Sequence, residues 1–265
     1  MTLAAMWSSF RLNTPCGGEA MKSILFSAIL FLSCAVGAQA PATAPVALKD
    51  EPHHHLLFEN DYVRVWAFGI AGHQATLLHN HDLPYLGVAV GSADFINAVT
   101  GKPEAHVTLT DGQVSYSKGG FSHVARTETD TPFRNVTIEL LRPQGAARNR
   151  CVKIIADSPL DCPQTTASPL GAATTLVFET DEVAVQSGEV SAIFRIAGAD
   201  IQPARLLALL DQSELSVETP GQPAKKLHSG EALWLNAGAA ATFVHTGARP
   251  TSRFVLVTFK DSGAK

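Results

Sequence analysis

The sequence predicts an all-β chain of two similar halves, on three observations. Short alternating or β-branched runs bounded by Gly, Pro, Asp and Asn recur along most of its length. Long amphipathic helical patterns are absent. The chain also repeats itself: Leu57-Phe58-Glu59, Asp61 and Val63 return as Val177-Phe178-Glu179, Asp181 and Val183, and Ile70-Ala71-Gly72 returns as Ile196-Ala197-Gly198. Gly112 and Gly120 have counterparts in Gly230 and Gly238, and Arg134-Asn135-Val136 in Arg253-Phe254-Val255, all in order and at offsets between 118 and 126. Ordered similarity at a near-constant offset marks a duplicated structural unit.

The strands follow in order. Tyr62–Ile70 alternates after the turn signal Asn60-Asp61; Leu86–Val90 and Ala93–Ala98 are separated by Gly91. Asp111-Gly112 divides Ala105–Leu109 from Gln113–Tyr116, Gly119-Gly120 precedes Ser122–Arg126, and Asn135–Leu141 closes the first half. The second half offers Glu182–Gln186, Val190–Ile196, Arg205–Leu210, Glu214–Glu218, Ala232–Leu235, Thr242–His245 and Arg253–Phe259. Residues 144–170, rich in Pro, Ala, Ser and Thr, read as a linker between a first domain at 41–143 and a second at 171–262.

Composition narrows the functional classes. With 46% hydrophobic and 17% charged residues the chain is a folded globular one with ample core. A net charge of -4 and the lack of any Lys/Arg block point away from nucleic acid and anionic membrane surfaces, leaving a small-molecule ligand as the expected partner. Lys22 followed by the apolar run Ile24–Leu32 and by Ala38-Gln39-Ala40 reads as a signal peptide starting at Met21, so export to a periplasm or the medium is expected, with residues 1–40 removed. Phe31-Leu32-Ser33-Cys34 also resembles a lipoprotein box, which makes a lipid anchor on Cys34 the alternative. After cleavage Cys151 and Cys162 remain, an even pair in an oxidising compartment, and a disulfide closing their loop would contribute about 2–3 kcal/mol.

The chemistry sits in one half. Gly72 precedes His79-Asn80-His81, and Gly112, Gly120 and His123 follow. Period two turns His79 and His81 to one face of a strand, and His123 would join them from a neighbouring strand. This pattern resembles the two-part motif of the cupin family, which implies two tandem cupin-like double-stranded β-helix barrels. It also implies a divalent transition metal (Fe, Mn, Ni, Cu or Zn) held by His79, His81 and His123. The departures are specific. The spacer after Gly72 is one residue longer than the family's, Tyr85 and Leu86 occupy the positions of its Glu ligand, and Lys118 and Thr127 replace its Pro and Asn. Asp82 points away from the ion on a regular strand, and His53-His54-His55 read as an exposed approach to the first strand. Carried through the repeat, the ligand positions become Arg205, Leu207 and Ala241, so the second barrel is expected to be structural, with His228 and His245 incidental.

Three neutral imidazoles leave a divalent ion its full charge and open positions, able to polarise an oxygen donor or acidify water. The resemblance implies a metal-dependent oxygenase or isomerase, and the open positions suit a small oxygen-donor compound such as an enediol, catechol or diketone. Tyr85 is either an acid, base or hydrogen-bond donor, or aromatic packing at the barrel mouth. The alternative is a non-catalytic module that binds a small ligand or the metal, because fold by analogy does not decide function.

Overall fold

The computed structural model describes residues 44–146, 148–149, 153–154, 166–167, 173–198 and 202–260, all within one compact unit. The leader at Met21–Ala40, Cys34, and both Cys151 and Cys162 lie outside the described residues. No helix among those described is long and apolar enough to cross a membrane.

The first half contributes β1 (His54–Glu59), β2 (Val63–Ile70), β3 (His79–His81), β4 (Tyr85–Ala89) and β5 (Ala93–Val99). It continues with β6 (Ala105–Leu109), β7 (Val114–Ser117), β8 (Phe121–Arg126) and β9 (Phe133–Leu140). The linker carries the short β10 (Arg148–Asn149), β11 (Lys153–Ile154) and β12 (Thr166–Ala167). The second half contributes β13 (Ala173–Glu179), β14 (Val183–Val190), β15 (Ile193–Ile196), β16 (Arg205–Leu209) and β17 (Glu214–Glu218). It ends with β18 (Lys225–His228), β19 (Ala232–Leu235), β20 (Ala241–His245) and β21 (Ser252–Phe259). Each half forms two facing sheets. The first pairs β1-β2-β9-β4-β7 with β3-β8-β5-β6, and the second pairs β13-β14-β21-β16-β19 with β15-β20-β17-β18. The linker is stitched into both, with β11 parallel to β7 and β10 and β12 antiparallel to β13.

Period two decides where each side chain goes. On β2, β4 and β9 one set, Val63, Val65, Leu86, Val88, Val136, Ile138 and Leu140, packs against Val183, Val185, Leu206, Ala208, Val255 and Val257 of the second half in one continuous core. Burying a large aliphatic side chain contributes about 1.5–3 kcal/mol, so this inter-barrel layer joins the two halves firmly. The pairs Arg134–Asp211 and Arg253–Asp111, both at 2.7 Å, run between the barrels near this layer. The other set faces the barrel interiors.

Those interiors differ because the side chains at equivalent positions differ. Strand pairing matches Gly87 and Thr137 to Leu207 and Leu256, Ala89 and Asn135 to Leu209 and Phe254, and Ser115 to Leu233. In the second barrel Leu207, Leu209, Phe254 and Leu256 join Phe194 and Phe243 in a filled core. The first barrel keeps a cavity of about 320 Å³, lined in part by Gly87, Ala89, Ser115, Asn135 and Thr137.

The same pairing corrects the carry-over of ligand positions. His79 lies opposite His123 on β3 and β8, and Ile196 lies opposite Ala241 on β15 and β20. Ile196 and Gly198 therefore stand in the places of His79 and His81, while Arg205 stands in that of Tyr85. Counting from Gly198 failed because residues 71–78 separate β2 from β3, whereas only Ser191 and Ala192 separate β14 from β15. The second barrel still offers none of the three histidines, since Ile196 and Ala241 are buried apolar residues. His228 is exposed, and His245 is occupied by the Ser252 hydroxyl and the Arg249 carbonyl.

Candidate metal centre

Two backbone features position the histidine strand. Gly72 approaches the backbone of Asp130 so closely that a Cβ there would come within 2.7 Å, so only glycine fits. Gly120 adopts φ 77° and donates its N–H to the His81 carbonyl at 2.6 Å, closing β3 onto β8. On the far side, the bridge between Val46 and His79 ties the segment before β1 to β3, with Asn80 N–H donating to the Val46 carbonyl at 3.0 Å.

The register then brings the predicted residues together. The ring centroids of His79 and His123 are 4.5 Å apart, those of His79 and His81 5.1 Å, and those of His81 and His123 5.0 Å. Nε2 of His79 lies 3.3 Å from Nε2 of His81 and 3.0 Å from Nε2 of His123. All three side chains are buried.

A fourth histidine joins them, against the expectation of an exposed run. His53 is partly buried and His55 exposed, but His54 is buried and its ring stands 5.0 Å from that of His79 and 6.0 Å from that of His81. One ring nitrogen from each of His54, His79 and His81 falls within 4.8 Å of the others, a group that can hold a metal ion. Sequence reasoning missed His54 because β1 is otherwise largely exposed, so no alternation marks it. Its burial comes from pairing opposite Phe68 on β2, a non-local contact. The one local signal is Glu51, three residues earlier.

Hydrogen bonds fix which nitrogen is available on three of the four rings, the exception being His81, whose Nδ1 is buried without a hydrogen-bond partner. His79 Nδ1 donates to the Leu77 carbonyl at 2.9 Å, His123 Nδ1 to Asn97 Oδ1 at 2.6 Å, and His54 Nδ1 to Glu51 Oε2 at 2.7 Å. Each leaves Nε2 as the lone-pair nitrogen, the arrangement in which imidazoles ligate metals while a second partner sets the tautomer. Burial lowers the His79 pKa to about 4 and that of His123 to about 3, and holds His81 well below the usual value. Burial lowers His54 as well, with the Glu51 hydrogen bond opposing it. All four are thus neutral at neutral pH, as ligation requires. Two neutral Nε2 atoms at 3.0 Å with both protons on Nδ1 face each other lone pair to lone pair. A cation between them removes that repulsion, so the donor set fits a divalent transition metal.

Among the described residues no carboxylate joins the imidazole cluster. The buried carboxylates among the described residues are Glu51 and Glu139. Glu51 accepts from His53 and His54, and Glu139 accepts from the Trp66 indole at 2.9 Å and Arg64 at 3.3 Å. Tyr85 stacks on His81 with centroids 4.4 Å apart. Burial pushes its phenol pKa up, opposed by a hydrogen bond with Ser117, so the hydroxyl stays protonated at neutral pH. Asp82 is exposed, in line with its expected direction away from the cluster. Thr127 is buried and donates to the Ala71 carbonyl at 2.7 Å, which ties the Gly72 turn to the end of β8.

No protein-family model and no curated protein matches the sequence. Solved structures match the fold. AerE from Microcystis aeruginosa superposes with a TM-score of 0.54 at 8% identity, over 80% of this chain and 99% of that one. Salicylate 1,2-dioxygenase from Pseudoaminobacter salicylatoxidans in complex with gentisate gives 0.53 at 12%, over 82% and 76%. The vicilin from Solanum melongena gives 0.51 at 11%, over 77% and 76%. At these identities the likeness shows the fold, which is the cupin one, with two double-stranded β-helix barrels in tandem.

Proposed function

We propose that the chain is an exported bicupin whose first barrel, within residues 41–143, binds one divalent transition metal, and whose second, within 171–262, is a structural partner. The observation that carries this reading is the convergence of Nε2 atoms from His79, His81 and His123, with the tautomers of His79 and His123 fixed by acceptors at Nδ1. His54 stands ready as a fourth imidazole, oriented by Glu51. A metal bound there would supply positive charge to polarise or acidify an oxygen donor. The chain's own residues do the rest. The second layer of Leu77, Asn97 and Glu51 holds the rings in place, and Phe68, Phe95 and Phe133 keep water from the cavity walls. Tyr85 packs His81 and offers a phenol that keeps its proton and can donate a hydrogen bond. On this basis the reading is a metal-dependent oxygenase or isomerase of a small oxygen-donor compound.

A non-catalytic binding module is the second reading. It is favoured by one observation, that no Asp or Glu lines the cavity to serve as a general base. Metal analysis of protein from its native exported compartment tests the first step, with near-stoichiometric Fe, Mn, Ni, Cu or Zn expected. Oxygen uptake and product mass with catechols and diketones then separate the two readings. Turnover no greater than that of His123→Ala would leave the binding module standing.

A further inference from the structure

The cavity beside the imidazole cluster has a charge pattern of its own. Its body is walled by Phe68, Phe95, Val107, Leu109 and Phe133, and one side carries a neutral polar strip of Ser115, Asn135 and Thr137. No Lys, Arg, Asp or Glu is among the lining residues. The nearby charges are spoken for: Glu139 is held by Trp66 and Arg64, and Arg134 by Asp211. At the rim, His106 is paired with Asp94, so that side offers an anion no unmatched cation. Within the strip, Thr137 donates to Asn135 Oδ1 at 2.7 Å, and Ser115 donates to the Gly87 carbonyl at 3.3 Å. The Asn135 amide nitrogen is the donor this wall can offer.

We propose that the cavity takes a ligand whose oxygen donors all lie at its imidazole end and whose remainder is uncharged and mostly apolar. The proposal rests on the cluster being a metal site and adds what the other end of the ligand is. A carboxylate on the far side of such a ligand would be buried without a cation or a set of N–H donors, and an unpaired buried charge is strongly disfavoured. The cavity is small, near the lower end of the usual range of about 300–1,000 Å³, so the ligand is of single-ring size. The second barrel shows that the space is specific to the first. Equivalent positions there hold Leu207, Leu209, Leu233, Leu256 and Phe254, and fill the barrel.

A matched pair of probes tests this on the mature protein loaded with Zn(II), a metal without redox turnover. 4-Methylcatechol and 3,4-dihydroxybenzoate share one diol and differ only in a methyl or a carboxylate on the same ring carbon. Titration calorimetry should give a Kd for the methyl compound lower by at least about tenfold. In Val107→Lys, which sets a cation on the cavity wall at an edge strand, the ratio should shift towards the carboxylate. Equal or tighter binding of 3,4-dihydroxybenzoate by the wild type would overturn the proposal. So would an unchanged ratio in Val107→Lys, or no binding of 4-methylcatechol with or without zinc. Zinc content, measured in parallel, separates the two readings. Protein that does not retain zinc removes the metal assignment, and its preference for the methyl compound then supports only the uncharged, apolar far end; protein that retains zinc and prefers the carboxylate keeps the metal assignment and overturns this proposal.

Discussion

Replacing Glu51 with Ala removes a carboxylate that is fully buried and accepts four N–H groups. These are the His53 backbone at 2.9 Å, His53 Nδ1 at 2.9 Å, His54 Nδ1 at 2.7 Å and the Leu77 backbone at 3.3 Å. His53 and Leu77 can turn partly to water, but His54 Nδ1 is left buried without an acceptor. One charge-assisted bond to a buried donor and three partly buried ones sum to about 3–5 kcal/mol. Urea unfolding of the metal-free protein should show that loss at an unchanged m-value. Metal affinity should fall about 10–100-fold, the usual effect of removing a partner that orients a ligand histidine. The acid limb adds an independent readout. Burial raises the Glu51 pKa, but the hydrogen bonds from His54 and His53 outweigh it and bring it from 4.5 down to about 2. The unfolded chain therefore takes up this proton first, so the stabilisation is present above pH 4.5 and is lost as the pH falls to about 2. Its full size is about 3 kcal/mol. The buried imidazoles weaken the metal-free protein in the same direction from near pH 6.5, so the comparison is with Glu51→Gln, which keeps them and lacks the carboxylate. A Glu51→Ala protein within about 1 kcal/mol of wild type would refute the view that this carboxylate anchors β1 to the histidine strand.

Alanine at His79, His81 or His123 should each cut metal content sharply in elemental analysis, whereas alanine at His228 or His245 should leave it unchanged; full retention in the His79→Ala/His81→Ala double variant would end the assignment. His54→Ala should weaken binding without abolishing it, read as a higher Kd by competition with a chelator. N-terminal sequencing of the exported protein should begin at Pro41, and a non-reducing peptide map should join Cys151 to Cys162. An intact Met1, a lipidated Cys34 or two freely alkylated thiols would contradict that processing.

Much of the fold was legible because strands announce themselves locally. Val63 and Val65 around Arg64 give the alternation of β2, and Asp111-Gly112 gives the turn before β7. The strands overlooked were those whose signal is weak in isolation. β1 is mostly exposed, and β18 begins with two exposed lysines. The site divides the same way. His79, His81 and His123 stand at positions that strand geometry links directly, through period two and a cross-strand pair. His54, Glu51 and Asn97 join through the closing of the barrel, when β1 folds onto β2 and β5 pairs with β8. No spacing rule in the sequence connects Asn97 with His123, yet their 2.6 Å hydrogen bond sets the tautomer of the third ligand.

The two barrels offer a further test, because one is the other with its interior filled. Ala89 and Leu209 occupy equivalent places, the first facing the cavity and the second fully buried in a packed core. Ala89→Leu therefore copies into the first barrel a side chain that the scaffold already accepts in the second. Three added carbons buried at about 0.8 kcal/mol each give a gain of up to about 2.4 kcal/mol if the cavity receives them without strain. The new side chain should leave metal content unchanged while blocking small ligands, so thermal stability rises as ligand affinity falls. Such a trade is expected where a cavity is kept open for use rather than left by poor packing. Thermal unfolding, elemental analysis and 4-methylcatechol titration on one preparation decide it. If Ala89→Leu is stabilised and still binds the ligand as the wild type does, the cavity is not the binding site. If it is destabilised, the equivalence of the two interiors is wrong.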